Sequence, residues 1–442
     1  MKIEKKLWII LFAFGIFAIC FSGWIFRQST AREKLFWDNT IRCETKELKE
    51  GEIKAENIAL PKDFDVPKSI LFKTTHTIAE VWLDGEKIYE YGNEADAPGF
   101  MKTPGSCWHI VDIPGDSSGK NLEVRIIPVY EGYYGNEVSL VYGTRGDCIL
   151  KILTDSLGIP VISCGILFAA VICILLYCGA ARRKRSDKTE AKIEIFLNLG
   201  FFSLLVAVWT LVQCGFLQFL IPDGRTLYFV EYFSLFLFPV PFNFLLYDIC
   251  KSRYHKGALI FSILYLTNMA VDVLLQCTGI IDMSRLLSVI HVIMVANVVY
   301  TVVIILYEAG KKENDVAQKF RYPMCVVMGF GMAEMIFYYL RRFEQISILL
   351  SMGTMLFIIM LIWIQVSQYY DQYIQKQKVI YLQKIANMDM LTEAMNRNAY
   401  EDMVKYLDEG EIKLSTTGVV VFDLDDLKVI NDILGMKRET KR

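Results

Sequence analysis

The chain has 442 residues, of which 54% are hydrophobic and 13% aromatic, and its mean hydropathy is +0.34. Soluble proteins of this length are less apolar, so the composition predicts a membrane protein. A formal net charge of -2 excludes the globally basic surface that would bind nucleic acid. The sequence has no Cys/His cluster at zinc spacing and no glycine-rich nucleotide loop, so it gives no basis for a zinc or dinucleotide site.

Eight apolar segments approach the roughly 20 residues with which a helix crosses a bilayer. They are 7–26, 158–179, 194–216, 226–249, 258–276, 286–307, 323–340 and 346–367. The first is long for a signal peptide and has no small-residue cleavage site, so residues 1–26 are expected to remain as a signal anchor, with a cleaved signal peptide as the alternative. Residues 154–367 are expected to form an all-α block of seven transmembrane helices surrounded by membrane lipid, giving 1+7 helices in all.

Lysine and arginine residues collect in the loops on one side of these spans, and by the positive-inside rule that side is cytoplasmic. One opposite loop, with Arg341 and Arg342, goes against the rule, and the other opposite loops hold only Arg225 and Arg285. We therefore predict both termini in the cytoplasm and residues 27–153 outside the cell. The basic residues on the predicted cytoplasmic side are Lys2, Lys5, Lys6, Arg182, Arg183, Lys184, Arg185, Lys188, Lys251, Arg253, Lys256, Lys311, Lys312, Lys319 and Arg321.

The predicted outer domain, residues 27–153, contains short runs typical of strands, and Asp84-Gly85 between two runs predicts a type I′ hairpin turn. The runs are 69–73, 79–83, 87–91, 109–113 and 122–128. This pattern predicts an extracytoplasmic all-β sandwich. The sequence VWLDGEKIYEYG, followed by PGSCWHIVDIP, resembles jelly-roll modules of the carbohydrate-binding kind. The resemblance implies a carbohydrate or other small molecule as ligand.

Aromatic residues of this domain have two interpretations, a platform for sugar rings or filling of the sandwich core, and the core is favoured because aromatic side chains dominate such cores. The residues concerned are Trp82, Phe100, Trp108, Tyr130, Tyr133 and Tyr134. Tyr133 and Tyr134, flanked by glycines, are the ligand candidates. Cys43, Cys107 and Cys148 allow one disulfide, whose pairing the sequence does not decide.

Four ionisable residues lie within predicted spans, namely Glu231, Asp272, His291 and Glu334. Charges at membrane depth are costly and usually face a cavity or the protein interior, so these residues are candidates for one ligand pocket. The alternative is a buried polar network that specifies helix packing. Pro239 and Pro241 are expected to kink the fourth span. A transporter is a further alternative, but no internal repeat with matching broken helices is evident.

Residues 368–388 favour a helix that continues from the last span. Ile374, Tyr381, Ile385 and Met388 form a short, imperfect coiled-coil seam, interrupted by Lys378. The seam predicts a signalling helix through which a homodimer forms; a surface helix lying on the next domain is the alternative.

Two motifs follow, DMLTEAMNRNAY at 389–400 and, after a predicted helix and turn, VVVFDLDDLKVIND at 419–432. Residues 419–422 read as a buried strand that ends in acidic groups, where oxygen ligands suit Mg²⁺. Together the motifs resemble the opening of GGDEF domains, the diguanylate cyclases, which have an α/β fold and join two GTP molecules into cyclic di-GMP.

The resemblance implies roles for individual residues. Asp423 and the Leu424 carbonyl match the Mg²⁺ position, Asn431 matches the guanine-reading position, and Lys428 lies near the phosphates of GTP. Leu427 stands where the family usually has Phe.

The resemblance stops after Gly435, where the chain reads MKRETKR instead of the His and Gly-Asp of the family. Residues 389–442 therefore correspond to an N-terminal GGDEF fragment without the signature acids or the second metal carboxylate. We expect no cyclase activity from this chain alone, and we expect residues 418–442 to be poorly ordered or aggregation-prone. A frameshift or premature stop would explain the abrupt change.

The order of the parts resembles bacterial seven-transmembrane receptors with intracellular signalling modules. The first hypothesis is a signal-transducing diguanylate cyclase of the bacterial cell membrane, represented by an inactive chain. The alternative is a non-enzymatic receptor or dimerisation partner that binds an extracytoplasmic ligand.

Overall fold

A computed structural model of the chain describes residues 40–42, 54–60, 67–93, 98–130, 139–184, 194–311, 313–340, 348–389, 392 and 394–408, and further on 418, 420–422, 425–426, 428–429 and 432. The chain divides into two compact units, Met1–Leu361 and Ile362–Arg442. The predicted signal anchor at 1–26 lies outside the described residues.

The first unit begins with two four-stranded antiparallel sheets, in the orders β1-β8-β3-β6 and β2-β7-β4-β5. The strands are β1 Thr40–Arg42, β2 Lys54–Ala59, β3 Lys68–Thr75, β4 Thr77–Leu83, β5 Glu86–Tyr91, β6 Ser106–Ile113, β7 Asn121–Pro128 and β8 Ser139–Gly143. Alternate residues of both sheets, such as Phe72, Val81 and Val124, share one buried core, so the predicted sandwich is present. Asp84 and Gly85 both have positive φ (48° and 86°), as the predicted type I′ turn requires.

The region of the sandwich is not entirely β, because a helix, α1 (Arg145–Ser156), follows the last strand. Thr144 and Asp147 form a capping box at its start. Cys148 and Ile152 of α1 pack with Leu71 and Val141 on one face of the β1-β8-β3-β6 sheet. The all-β prediction was therefore wrong for 145–156, since the strand pattern drew attention away from the Thr-x-x-Asp capping signal.

Cys107 and Cys148 are buried free thiols. Side chains alternate between the two faces of a strand, and Trp108 and Ile110 of β6 pack towards α1. Cys107 therefore points to the opposite face from Cys148, which prevents a disulfide between them. Cys43 lies outside the described residues.

The rest of the first unit is a bundle of apolar helices. Within the described residues, six helical segments are long and apolar enough to cross a membrane, and Ile348–Ile364 is a shorter apolar helix. The chain is thus a multi-pass membrane protein with a β region. The candidate spans are Gly158–Gly179, Glu194–Gln213, Gly224–Ile249, Arg253–Cys277, Met283–Ala309 and Asp315–Leu340. The helices themselves are α2 Gly158–Lys184, α3 Glu194–Gln213, α4 Gly224–Leu237, α5 Pro239–Ile249, α6 Lys256–Cys277, α7 Leu287–Ala309, α8 Asp315–Leu340 and α9 Ile348–Asn387.

The third of these candidate spans breaks at the predicted proline. Helix α4 ends at Leu237 and α5 starts at Pro239, with Phe238 between them. Proline has no backbone N–H to continue the helical bonding and is favoured in the first turn of a helix. The predicted kink is confirmed as a break in the span.

The second unit contains the C-terminal part of α9 and a further helix, α10 (Arg397–Asp408). Ile374, Tyr381 and Ile385 of the predicted seam are exposed on α9. Described residues of the motif at 389–400 form a hydrogen-bonded turn and the first residues of α10. The Asp389 carboxylate accepts bonds from Thr392, at 2.9 Å from both the backbone nitrogen and Oγ1. Asn396 Oδ1 accepts from the Ala399 backbone nitrogen at 3.2 Å and caps α10.

The predicted buried strand at 419–422 is wrong for the described residues 420–422. They lie outside any assigned strand, and Phe422 is 91% exposed. An apolar segment becomes a buried strand only where neighbouring strands pair its edges and cover its faces. No strand among the described residues pairs with it.

Candidate functional site

A cavity of about 120 Å³ lies inside the helix bundle, and helices α3 to α9 all contribute to its wall. Seven of its 22 lining residues are aromatic, and none is lysine or arginine. Gln213, Leu287 and Leu350 lie close to the ends of their helices, and Pro239 places the break between α4 and α5 in the wall. The helix break therefore shapes the cavity.

Three of the four ionisable residues predicted within the spans, Glu231, His291 and Glu334, line this cavity. Asp272 is not among the lining residues; it is buried, and its carboxylate accepts a 2.7 Å bond from Asn268 Nδ2 one turn earlier. The sequence alone did not distinguish Asp272 from the cavity residues. An ionisable residue at membrane depth indicates a polar environment, but it does not show whether that environment is a cavity or a bond within the same helix.

The polar cavity residues are held by specific bonds. Gln213 Nε2 donates to Glu231 Oε1 at 2.8 Å, and the backbone nitrogen of Leu350 donates to Glu334 Oε2 at 3.0 Å. His291 Nδ1 lies 2.9 Å from the Tyr339 hydroxyl. Both glutamates are only 8% exposed. The two carboxylates thus lie on different helices, and each is held by a bond to another helix, Glu231 of α4 to α3 and Glu334 of α8 to α9.

Two further polar atoms at the cavity escaped the sequence analysis. Trp209 Nε1 and Gln213 Oε1 are buried and make no hydrogen bond within the described part of the chain. Both residues line the cavity and lie one turn apart on α3. The signal for them was the i, i+4 spacing of two polar atoms in an apolar span. A buried donor or acceptor without a partner costs about 1–3 kcal/mol, so a bound molecule that pairs with it gains that energy.

A second polar cluster joins the sandwich to the helices, centred on Asp282 in the loop before the 3₁₀ turn Met283–Leu286. Asp282 is 5% exposed. Its carboxylate accepts from the backbone nitrogens of Lys102 and Thr103, each at 3.3 Å, from Gln276 Nε2 at 2.7 Å, and from the Tyr130 hydroxyl. One acidic side chain of the bundle therefore holds three separate positions of the sandwich.

Gln276, at the end of α6, uses both ends of its amide at this junction. Nε2 also donates to the Phe100 carbonyl at 2.6 Å, and Oε1 accepts from the Tyr228 hydroxyl at 3.1 Å and from the Met283 backbone nitrogen at 3.0 Å. Its buried amide is fully satisfied, as a buried polar group in a stable interface must be.

A third contact involves the edge of a sheet. The Gln218 side chain accepts from the Trp108 backbone nitrogen at 2.8 Å and donates to the Trp108 carbonyl at 2.6 Å. Strand β6 is at the edge of its sheet, so this amide pairs a free strand edge as another strand would. Gly105 lies so close to the Gly224 carbonyl that a Cβ there would sit 2.2 Å from the oxygen.

Tyrosine rings connect the junction with the cavity. The Tyr228 ring lies 5.8 Å from His76 of the sandwich and 4.7 Å from Tyr232, which lines the cavity. Tyr228 also accepts a bond from the Ser284 backbone nitrogen at 3.0 Å. Tyr228 and Tyr232, one turn apart on α4, therefore form a continuous line of ring contacts from His76 of the sandwich to the cavity wall.

His76 is buried where the sandwich contacts the bundle, and its Nδ1 lies 2.8 Å from Thr103 Oγ1. Burial lowers the pKa of His76 to about 4, although the nearby Asp282 carboxylate acts in the opposite direction. The imidazole is therefore neutral at neutral pH. Such a group destabilises the folded state if it is forced to take up a proton.

The other candidate residues from the sequence are not part of this site. Tyr130 belongs to the junction, Trp82 contacts Arg125 and Lys87, and Phe100 is 39% exposed, so these aromatics form no common platform. Lys428 is exposed. Tyr133, Tyr134, Asp423, Leu424 and Asn431 lie outside the described residues, and the Mg²⁺ and guanine positions stay predictions.

Among the described residues, no three His, Cys, Asp or Glu side chains are grouped to hold a metal ion. His109 in the sandwich core uses both ring nitrogens, with Thr74 Oγ1 at 2.6 Å and Tyr89 Oη at 2.9 Å.

Comparison with protein-family models, curated proteins and solved structures finds no match to this chain. The argument for function therefore depends on the residues and their geometry.

Proposed function

We propose that this chain is a multi-pass membrane receptor in which the sandwich, outside the cell, and the cavity in the helices form one sensing unit. The signal then passes to the helix at 368–388 and to a cytoplasmic module of the diguanylate cyclase type. The single observation that supports the receptor most strongly is the buried polar junction around Asp282, which ties the sandwich to the helices beside the cavity.

The physical reasoning is that a ligand shifts a conformational equilibrium only if it contacts the two states differently. The proposal requires two states of the sandwich, docked and loosened. Tyr228, which packs on Tyr232 with 4.7 Å between the ring centroids, is the side chain through which we propose that the difference reaches the cavity. Binding at either the sandwich or the cavity would favour one state.

The proposed output depends on the sequence resemblance of 389–432 to the opening of GGDEF domains. The 442 residues contain no GGDEF or GGEEF run, so we propose no turnover of GTP by this chain alone. Sequencing the gene from codon 430 onward tests the output: a GGDEF or GGEEF run in any frame supports it. No such run would leave a receptor without a cyclase module.

The receptor function is tested by photo-crosslinking of the full chain in membranes. Benzoylphenylalanine replaces Tyr381, in the seam and 63% exposed, or Val379, on the opposite face and 54% exposed, as the matched control. We expect a dimer adduct at Tyr381 and little at Val379. We also expect the Tyr381 adduct yield to change at least about twofold when Gln218→Ala loosens the junction, as a free-energy shift of about 0.4 kcal/mol suffices for this.

Equal adduct yields at Tyr381 and Val379 would refute the proposed dimer seam. An adduct at Tyr381 whose yield is the same with and without Gln218→Ala would show that the outer junction does not influence the cytoplasmic helix. That second result would refute the receptor function. The experiment needs no ligand, so the unknown chemistry of the signal does not affect its outcome.

A further inference from the structure

We infer that the cavity inside the bundle binds a small organic cation, such as a benzyl-type primary ammonium or a quaternary ammonium ion. The inference deepens the proposed receptor function and rests on it, since it names the chemical class of the signal at one part of the sensing unit. It depends on the charge, the aromatic content, the size and the unused polar atoms of the cavity.

The charge of the cavity wall disfavours anions. Glu231 and Glu334 bring two carboxyl groups to the cavity from α4 and α8, and no lysine or arginine lines it among the described residues. An anionic guest would lie beside these two carboxyl groups, and of the described wall only the neutral donors and the imidazole of His291 could bind it. A cationic guest would pair with the carboxyl groups, and a paired charge at membrane depth is far less costly than an isolated one.

The aromatic residues of the wall favour a cation further. Trp209, Tyr232, Tyr265 and Tyr338 lie on four different helices around the cavity. The faces of such rings carry negative potential and attract ammonium groups, and rings arranged on several sides are how proteins bind quaternary ammonium ligands. Rings alone would accept any apolar molecule; it is the rings together with carboxylates that select a positive charge.

The size limits the guest. The cavity holds about 120 Å³, somewhat less than the 150 Å³ of an engineered cavity that takes up benzene. A tetramethylammonium ion or a single ring is therefore about the largest guest that it encloses, and the short arm of a benzyl amine extends into its open side, whereas a sugar or a nucleotide is too large.

The unused polar atoms indicate that the site is built for a guest with hydrogen-bonding groups as well. Gln213 Oε1 is a buried acceptor without a partner among the described residues, and it belongs to the side chain that also holds Glu231. An ammonium N–H can donate to this oxygen and to the Glu231 carboxylate together. If both oxygens accept from one guest nitrogen, the guest supplies the partner that the amide oxygen of Gln213 lacks among the described residues.

The test is calorimetric titration of the full chain in lipid nanodiscs with four probes. Benzylammonium and tetramethylammonium are the cations; benzyl alcohol and benzoate have the shape of benzylammonium but are neutral and anionic. We expect saturable binding of at least one cation, with a Kd on the order of 1 mM or lower, at least tenfold tighter than that of benzyl alcohol, and no binding of benzoate.

Substitutions of cavity residues then test whether the probe binds in the cavity. Glu334→Gln and Glu231→Gln are each expected to weaken cation binding at least tenfold. Asp272→Asn is the matched control, because Asp272 is also a buried acid within a span but does not line the cavity, and we expect it to leave binding unchanged. Circular dichroism and gel filtration show whether each variant is folded. A misfolded glutamine variant is replaced by Trp209→Phe, which keeps an aromatic ring in the wall but weakens the cation contact.

Three results would overturn the inference: neither cation binds, benzyl alcohol binds as tightly as benzylammonium, or Asp272→Asn weakens binding as much as the glutamate variants. Failure here is distinguishable from failure of the receptor function. If cations do not bind but the Tyr381 adduct still responds to Gln218→Ala, the receptor stands with another ligand. If cations bind but the adduct does not respond, the cavity is a binding site without transmission.

Discussion

Replacing Asp282 by alanine should undock the sandwich from the helix bundle while leaving both folded. Asp282 accepts from two backbone nitrogens of the sandwich at 3.3 Å, from the Tyr130 hydroxyl and from Gln276 Nε2 at 2.7 Å. Alanine leaves these donors buried without an acceptor. Neither the sandwich core nor the packed helices contain the side chain, so the damage is confined to the junction.

The magnitude follows from the geometry. A buried donor left without its partner costs about 1–3 kcal/mol, and bonds to a charged acceptor are at the stronger end. The two 3.3 Å bonds are long and count for less, and Gln276 keeps its bond to the Phe100 carbonyl. A total of about 4 kcal/mol is therefore reasonable, which corresponds to roughly a thousandfold more frequent opening of the junction. Asp282→Asn keeps one acceptor oxygen and should cost about half as much.

Hydrogen exchange of the full chain in nanodiscs, read by mass spectrometry, measures this opening directly. Exchange at 98–105 should accelerate by two to three orders of magnitude in Asp282→Ala, with a smaller effect in Asp282→Asn. Strands β4 and β7 should be unaffected. Asp112→Asn is the control, since Asp112 is an exposed acid of the same sandwich that pairs with Arg145 of α1 and not with Asp282. Exchange at 98–105 within threefold of the wild type would refute the assigned role of Asp282.

Three more outcomes are expected. Gly105→Ala should loosen the same junction by about 2 kcal/mol more than Gly85→Ala. Both glycines have positive φ, but only the Cβ at position 105 would meet backbone, at 2.2 Å from the Gly224 oxygen. Hydrogen exchange at 98–105 measures the difference, and equal effects of the two substitutions would contradict this explanation. Buried His76 should contribute a loss of up to about 3 kcal/mol of folding stability between pH 6.5 and pH 4, since the unfolded chain takes up a proton that this imidazole resists in the fold. Burial also lowers the pKa of His109 to about 3, so His109 contributes in the same pH range, and His76→Asn should reduce the loss measured by thermal unfolding without removing it; an identical pH profile would argue against this role of His76. Asn396→Ala should remove about 1 kcal/mol from the start of α10, seen as faster exchange at 397–401, whereas a loss of the same size in Asn398→Ala would show that capping is not the cause.

The strands were predictable from the sequence because their signals are local. Alternating apolar residues place one face of a strand in a core, and Asp-Gly specifies the turn whatever the rest of the chain does. The break at Pro239 is local in the same way, as the ring removes a backbone donor. The ends of the spans differ from the prediction by a few residues, for example Gly224–Ile249 in place of 226–249, because polar residues such as Arg225 extend a helix beyond its apolar part.

The junction was not predictable, because its contacts join residues far apart in the chain. Lys102 and Asp282 are separated by 180 positions, and nothing in a loop that reads Ile-Asp-Met distinguishes an exposed aspartate from a docking site. The cavity was partly predictable, since the cost of charge at membrane depth singles out Glu231, His291 and Glu334. Trp209 and Gln213 were overlooked since indole and amide groups are tolerated in spans and attract no attention without the fold.

The contacts of the junction differ in kind from those of the bundle. Helices around the cavity are locked by stacked rings, as where Phe202 contacts Phe242 at 5.3 Å and Phe357 at 6.0 Å. Separating such rings within a membrane loses their dispersion contacts. The junction combines ring contacts, such as that of His76 with Tyr228, with amide and carboxylate bonds that water can replace when the surfaces part. We therefore expect the junction to open at a lower cost in free energy than the bundle, and a ligand that favours one state by a few kcal/mol would bias this opening.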